Sequence, residues 1–174
     1  ADAAEYSVQF EGQDHTIIVG HGRVGARVAA ALRAHGHRVV IIEDNERRVL
    51  DIRASGEFAI LGNAVCGKVL AAAGIKRARA LVVAIPDPLT AGAVITKARA
   101  ASSRIKILAR GHNDEDSRYL MDNGANQVIV GVYEVADIMV ELVDHAKAVA
   151  PKEKGKAVKE SPAADATPNP SSPD

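Results

Sequence analysis

Short apolar runs alternate with helical apolar patterns along most of this chain. The runs are Thr16–Val19, Val39–Ile42, Phe58–Leu61, Ala80–Ile85, Ile105–Ala109 and Gln127–Val130. Strand-sized runs separated by helices in regular order predict an α/β fold, a Rossmann-like doubly wound parallel sheet. Because crossovers in such sheets are short and right-handed, the expected strand order is 3-2-1-4-5-6. After the first run, Val24, Val28 and Leu32 recur at four-residue spacing while Arg23, Arg27 and Arg33 are polar, which predicts a helix lying on the sheet and ending near Ala34. Between Val132 and Val143 the apolar positions cover roughly 200° of a helical wheel, whereas one sheet contact needs only about 100°. The excess predicts a C-terminal dimerisation helix, with burial inside one subunit as the alternative.

The junction between the first run and the first helix carries the candidate chemistry. Gly20-His21-Gly22-Arg23-Val24-Gly25 has the G-x-G-x-x-G spacing directly after a strand and directly before a helix. The first glycine permits a tight turn, the second lets a pyrophosphate approach the backbone, and the third lets helix and strand pack closely. Phosphate then meets the free N–H groups of the helix N-terminus. The second strand closes on Glu43, eighteen positions beyond Gly25, close to the spacing at which a carboxylate meets an adenosine ribose. With Asp44 beside it, the site should repel a 2′-phosphate, which disfavours NADP. Asp44 read as a helix cap is the simpler alternative.

In the 3-2-1-4-5-6 order the ligand crevice opens where strands one and four part, so Ile85, Pro86 and Asp87 should stand opposite the glycine loop. Pro86, Asp87 and Pro88 also suit a strand stop and a capped helix start. Asn63 and Ala64 end the third strand near the expected adenosine; Asn63 offers a donor and an acceptor there, or serves as a helix N-cap. Arg110 and His112, after the fifth strand, lie at the same sheet edge, in reach of a phosphate or a second ligand. Asn113-Asp114-Glu115-Asp116 reads as a helix start.

Composition narrows the function classes. The chain has 174 residues, 47% hydrophobic and 3% aromatic, enough for one core built from Ala, Val, Ile and Leu. Lys+Arg and Asp+Glu are 22 each, so the sum of charge offers nothing for a nucleic acid or for direct lipid binding. Apolar runs stay far below the roughly 20 residues of a membrane helix. The single cysteine, Cys66, excludes an internal disulfide framework. His35 and His37 have no further ligands at zinc-like spacing, so no metal is expected. The expected organisation is a linker over 1–13, one nucleotide-binding domain over 14–148 and a disordered tail over 149–174, where five of the seven prolines fall.

Five motifs occur in order along about three quarters of the chain: IIVGHGRVG from Ile17, LGNA from Leu61, AIPD from Ala84, ILARGHND from Ile107 and GANQVIVG from Gly124. Together they resemble the RCK or TrkA-N domain, and within it the YbaL and Kef branch of monovalent cation:proton antiporters. The resemblance implies a regulatory domain without chemistry of its own, homodimeric, at the cytoplasmic face of a bacterial inner membrane and joined to the membrane transport domain of the same protein. It implies an adenine nucleotide as ligand, AMP first and NAD(H) second. Phosphate would lie on Gly20, Gly22, Arg23, Val24 and Gly25, the ribose on Glu43, the adenosine on Asn63 and Ala64, with Ile85 as the opposite wall. Two positions depart from the family: His112 stands where Kef proteins use an arginine in binding glutathione conjugates, and Gly-Asn-Ala replaces the commoner Gly-Asp-Ala. The alternatives are a free-standing regulatory subunit of a potassium uptake channel and a soluble NAD-dependent oxidoreductase.

Overall fold

The computed structural model describes residues 8–146; the first seven residues of the expected linker and the whole expected tail lie outside the described residues. Six strands, β1 Thr16–Val19, β2 Val39–Glu43, β3 Phe58–Leu61, β4 Ala80–Val83, β5 Lys106–Gly111 and β6 Gln127–Val130, form one parallel sheet in the order β3-β2-β1-β4-β5-β6. The helices are α1 Arg23–Ala34, α2 Glu46–Ala54, α3 Gly67–Ala72, α4 Pro88–Ala101, α5 Asp114–Asp122 and α6 Gly131–Ala146. Val19 sits opposite both Ile42 and Val83, so β1, β2 and β4 end at one level and their following loops stand side by side.

Alternate residues of each strand feed two cores. Ile17, Val19, Ile42, Leu81 and Ile107 pack with Leu70, Val94, Ile95 and Leu120 of the helices on one face. Ile18, Ile41 and Ala59 pack with Ala29, Val49 and Ile52 of α1 and α2 on the other. With both faces covered, β1 and β2 need no polar alternation, which is why they read as continuous apolar runs.

Three details differ from expectation. The deepest positions of α1 are Gly25 and Ala29; Val28 and Leu32 pack against the core as expected, while Val24 is 40% exposed. Close approach explains this: a Cβ on Gly25 would lie 1.9 Å from the Gly20 carbonyl oxygen, so small residues line the seam. Strand β4 stops at Val83, since β1 ends at Val19 and Pro86 has no N–H to donate. Strand β5 runs on to Gly111 because β6 continues beside it, so Arg110 belongs to the strand, paired with Ile129, rather than following it.

Helix starts carry side-chain caps at Asn45, Asp87 and Asn113. The cap of α2 is therefore Asn45 and not Asp44, and Asn63 caps no helix, since Cys66 holds that position for α3. Helix α6 leaves the sheet after β6, and Val132, Val135, Ile138, Met139, Val140, Leu142 and Val143 are 52–66% exposed. Among the described residues nothing buries this face of the helix. Among the described residues no helix is long and apolar enough to cross a membrane.

Candidate functional site

The loops after β1, β2, β3 and β4 enclose a cleft of about 340 Å³. Its floor is Val19, Gly20 and Gly22; Ile42, Glu43, Asp44 and Arg48 form one side, Gly62, Asn63 and Ala64 the end, and Ala84, Ile85, Pro86 and Thr90 the opposite wall. Parallel strands that part on either side of β1 create this opening at their carboxyl ends.

Each glycine of the loop is required by something different. Gly20 has φ +89°, a left-handed conformation, and its N–H bonds the Ile42 carbonyl at 2.9 Å. Gly25 is fixed by the clash described above. Gly22 is the N-cap of α1, offers no side-chain cap, and a Cβ there would meet nothing within 4 Å. The protein leaves open space over Gly22 and over the uncapped first-turn N–H groups of α1, the arrangement that suits an anion.

Glu43 is 3% exposed and hydrogen-bonded through both carboxylate oxygens. Its Oε2 accepts the His21 N–H at 2.8 Å, and its Oε1 accepts the Asn45 N–H at 3.0 Å and lies 3.4 Å from Arg48 Nη1. Burial alone would raise its pKa, but the two backbone N–H bonds, a bond with Asp44 and the Arg48 charge together hold it below the ordinary carboxylate value. Asp44 moves the other way, raised by its hydrogen bond to Glu43, by burial and by the Glu43 charge. The end of β2 thus carries a fixed negative charge that also ties down the glycine loop.

On the remaining walls, Asn63 Oδ1 accepts the Val65 N–H at 2.9 Å, which turns the side chain into the loop. Thr90 donates from both its N–H (2.8 Å) and its hydroxyl (2.5 Å) to Asp87 Oδ2, so Asp87 caps α4 while Pro86 and Thr90 face the cleft. Ile85 and Pro86 thus line the cleft as expected, whereas Asp87 does not, its carboxylate being taken up in capping α4.

The cleft brings together Gly20, Gly22, Glu43, Asp44, Asn63, Ala64, Ile85 and Pro86 from the residues singled out in the sequence. It does not include the others. The His21 side chain turns to a hollow between α1 and α2 lined also by Arg33, Arg48 and Asp51, and burial lowers its pKa. Arg23 is exposed on the first turn of α1, and Gly25 is buried beneath the loop. Val24 and Arg110 border an apolar hollow of about 250 Å³ with Val28, Val82, Leu108 and Ile129. Arg110 and His112 share a further hollow with Gly131, Val132 and Val135 at the root of α6, where His112 Nδ1 lies 3.2 Å from Asp116 Oδ2. Sequence reading missed Arg48, Gly62 and Thr90. Arg48 had a signal, since it lies within the first turn of the helix that Asn45 caps and so points back towards Glu43. Among the described residues no group of His, Cys, Asp and Glu could hold a metal ion.

The model of the TrkA-N domain family matches residues 16–131. The chain is a TrkA-N domain. This TrkA-N domain is 37% identical over 131 residues to YbaL of Escherichia coli (strain K12), a candidate cation/proton antiporter, covering 75% of this chain and 24% of YbaL. The crystal structure of the TrkA-N domain of the E. coli inner membrane protein ybaL superposes with a TM-score of 0.73 at 36% identity, covering 77% of this chain and 99% of that one. The Kef C-terminal domain of Shewanella denitrificans, solved in AMP-bound form, matches with a TM-score of 0.64 at 25% identity over 76% of this chain and 80% of that one. The GsuK channel, solved with NAD, shares the fold at 20% identity and a TM-score of 0.64, covering 70% of this chain and 22% of that one. The chain spans 17–24% of the length of the curated relatives it matches.

Proposed function

We propose that this chain is the nucleotide-sensing regulatory domain of a monovalent cation:proton antiporter, placed at the cytoplasmic face of a bacterial inner membrane. The observation that carries this reading is the cleft between Gly22 and Glu43, in a chain 37% identical to YbaL and 25% identical to a Kef domain solved with AMP. The ligand is an adenine nucleotide. Its phosphate lies over Gly22 on the N-terminus of α1, its ribose hydroxyls donate to Glu43, and its adenine rests between Asn63, Ala64 and Ile85. The buried negative charge of Glu43, with Asp44 next to it, disfavours a 2′-phosphate, so AMP and NAD(H) are favoured over NADPH.

The domain performs no reaction. Occupancy acts on transport through differential affinity: if two gate states bind nucleotide with affinities about 5- to 150-fold apart, the coupling is about 1–3 kcal/mol. Two copies pair through α6, whose exposed apolar side chains have no partner on their own sheet. Titrating the full-length antiporter in vesicles with AMP and NADH tests the reading. Cation flux should change with a midpoint that follows site occupancy; unchanged flux with the cleft saturated would overturn it.

A further inference from the structure

The zero net charge of this chain averages over two unlike edges of its sheet. In a parallel sheet every connection from a helix to the next strand gathers at the amino edge, opposite the cleft. Those connections, with the first residue of β5, carry Arg38, Lys76, Arg77, Arg79, Arg104 and Lys106, all of them exposed. The single acid among them, Glu57, is paired with Arg33. The strand-to-helix connections at the cleft edge carry Asp44 and Asp87 and no Lys or Arg.

Backbone pairing sets these cations in a row. The Thr16 N–H bonds the Arg38 carbonyl and the Arg79 N–H bonds the His15 carbonyl, each at 2.9 Å, while Lys106 starts β5 opposite Ala80. The row therefore crosses four adjacent strands, roughly 15 Å of edge. The segment leading into β1 runs along it: the Phe10 N–H bonds the Ala72 carbonyl, Arg77 donates to the Phe10 and Gly12 carbonyls, and Arg38 donates to that of Gln13. Glu11 and Asp14 of this segment are exposed, and Asp14 pairs with Arg79 at 3.8 Å. Among the described residues the other five cations have no carboxylate within salt-bridge distance.

We propose that the amino edge of the sheet docks on an anionic phospholipid surface. Lys76, Arg77 and Arg79 line a hollow with Gln13 and Asp14, but Arg38, Arg104 and Lys106 lie outside it, and a row of this length suits a plane of phosphate groups better than a compact ligand. A bilayer leaflet rich in anionic lipid attracts exposed Lys and Arg within a Debye length. Docked this way, the domain turns the cleft at its opposite edge away from the bilayer, open to nucleotide. The inference rests on the reading that the domain works beside a membrane, yet it fails or holds independently of nucleotide binding.

The test is co-sedimentation of the 174-residue chain with vesicles. Vesicles of phosphatidylethanolamine with about 30 mol% phosphatidylglycerol should retain it at low salt and release it at about 0.5 M salt, and phosphatidylcholine vesicles should not retain it. K76E/R104E/K106E should weaken retention at least about tenfold. R27E/K68E/K97E makes the same charge change on α1, α3 and α4 and should weaken it far less; thermal melts of both variants verify folding. Absence of retention at low salt, as expected if the edge instead meets an acidic protein segment, would overturn the proposal. So would equal losses in the two variants, which would mark a diffuse charge effect. A chain that binds AMP but no vesicle loses this inference and keeps the proposed function.

Discussion

The carboxylate of Glu43, at the end of β2, accepts the backbone N–H of His21 at 2.8 Å, so the residue expected to read the ribose also fixes the glycine loop beneath the phosphate. One substitution should therefore disturb both halves of the site. E43Q keeps the size and one acceptor but removes the charge, and we expect a loss of adenine nucleotide affinity of about 10- to 100-fold, the worth of one hydrogen bond to a charged group. E43A should lose as much affinity and also unfold earlier, because the N–H groups of His21 and Asn45 lose their acceptor. Calorimetry and thermal melts on the two variants check this; unaltered affinity in E43Q would remove Glu43 from the ligand site.

Gly22 and Gly25 separate binding from folding. G25A places a methyl group 1.9 Å from the Gly20 carbonyl oxygen and should destabilise the fold by about 2–4 kcal/mol. G22A meets no protein atom, so its cost should stay within about 1 kcal/mol while nucleotide binding is lost to the methyl group over the helix N-terminus. Chemical denaturation beside ligand titration distinguishes them, and retained binding in G22A would move the phosphate elsewhere.

His15 makes stability depend on pH. It is fully buried, its Nε2 lies 2.8 Å from the Ala73 carbonyl, and its Nδ1 has no hydrogen-bond partner among the described residues. Burial drives its pKa below 6.5; the bond to Ala73 and the charge of Asp14 oppose this, while Arg77 and Arg38 add to it. A depressed histidine pKa gives stability that is complete above about pH 6.5 and is lost as the pH falls from there through the folded value, because the unfolded chain takes up the proton first. His21, also lowered, adds to the same trend. Urea denaturation should show a loss between about pH 7 and 5 that is smaller in H15Q. Equal slopes would mean that His15 opens to water before it titrates.

The apolar side chains of α6 should hold two copies together. Ile138 and Leu142, four residues apart on the helix, are 54% and 66% exposed. I138D/L142D should convert a dimer to a monomer in sedimentation velocity with little change in melting temperature, since neither side chain belongs to the core of its own sheet. A wild-type monomer at high concentration would contradict the pairing.

Periodicity carried the fold well because β1 to β4 are apolar on nearly all positions, and the glycine loop was legible because three backbone constraints coincide in six residues. Charge geometry was not legible. Arg48 reaches Glu43 only through the turn that Asn45 caps, and Arg110 and His112, adjacent to the motif in kind, lie two strands from β1 in a hollow of their own. The row from Arg38 to Lys106 is scattered over nearly seventy positions and is cancelled in any sum by acids on the helices and at the other edge. Small residues misled as well: apolar spacing pointed to Val24, while Gly25 and Ala29, beside Val28 and Leu32, make the contact with the core.

The most direct test is isothermal titration of the chain with AMP, NADH, ADP and NADPH, repeated on G22A. We predict saturable binding of AMP or NADH at one site per chain, much weaker binding of NADPH, and no binding by folded G22A. Failure of every nucleotide to bind wild-type protein, or equal binding by G22A, would contradict an adenine nucleotide held between Gly22 and Glu43.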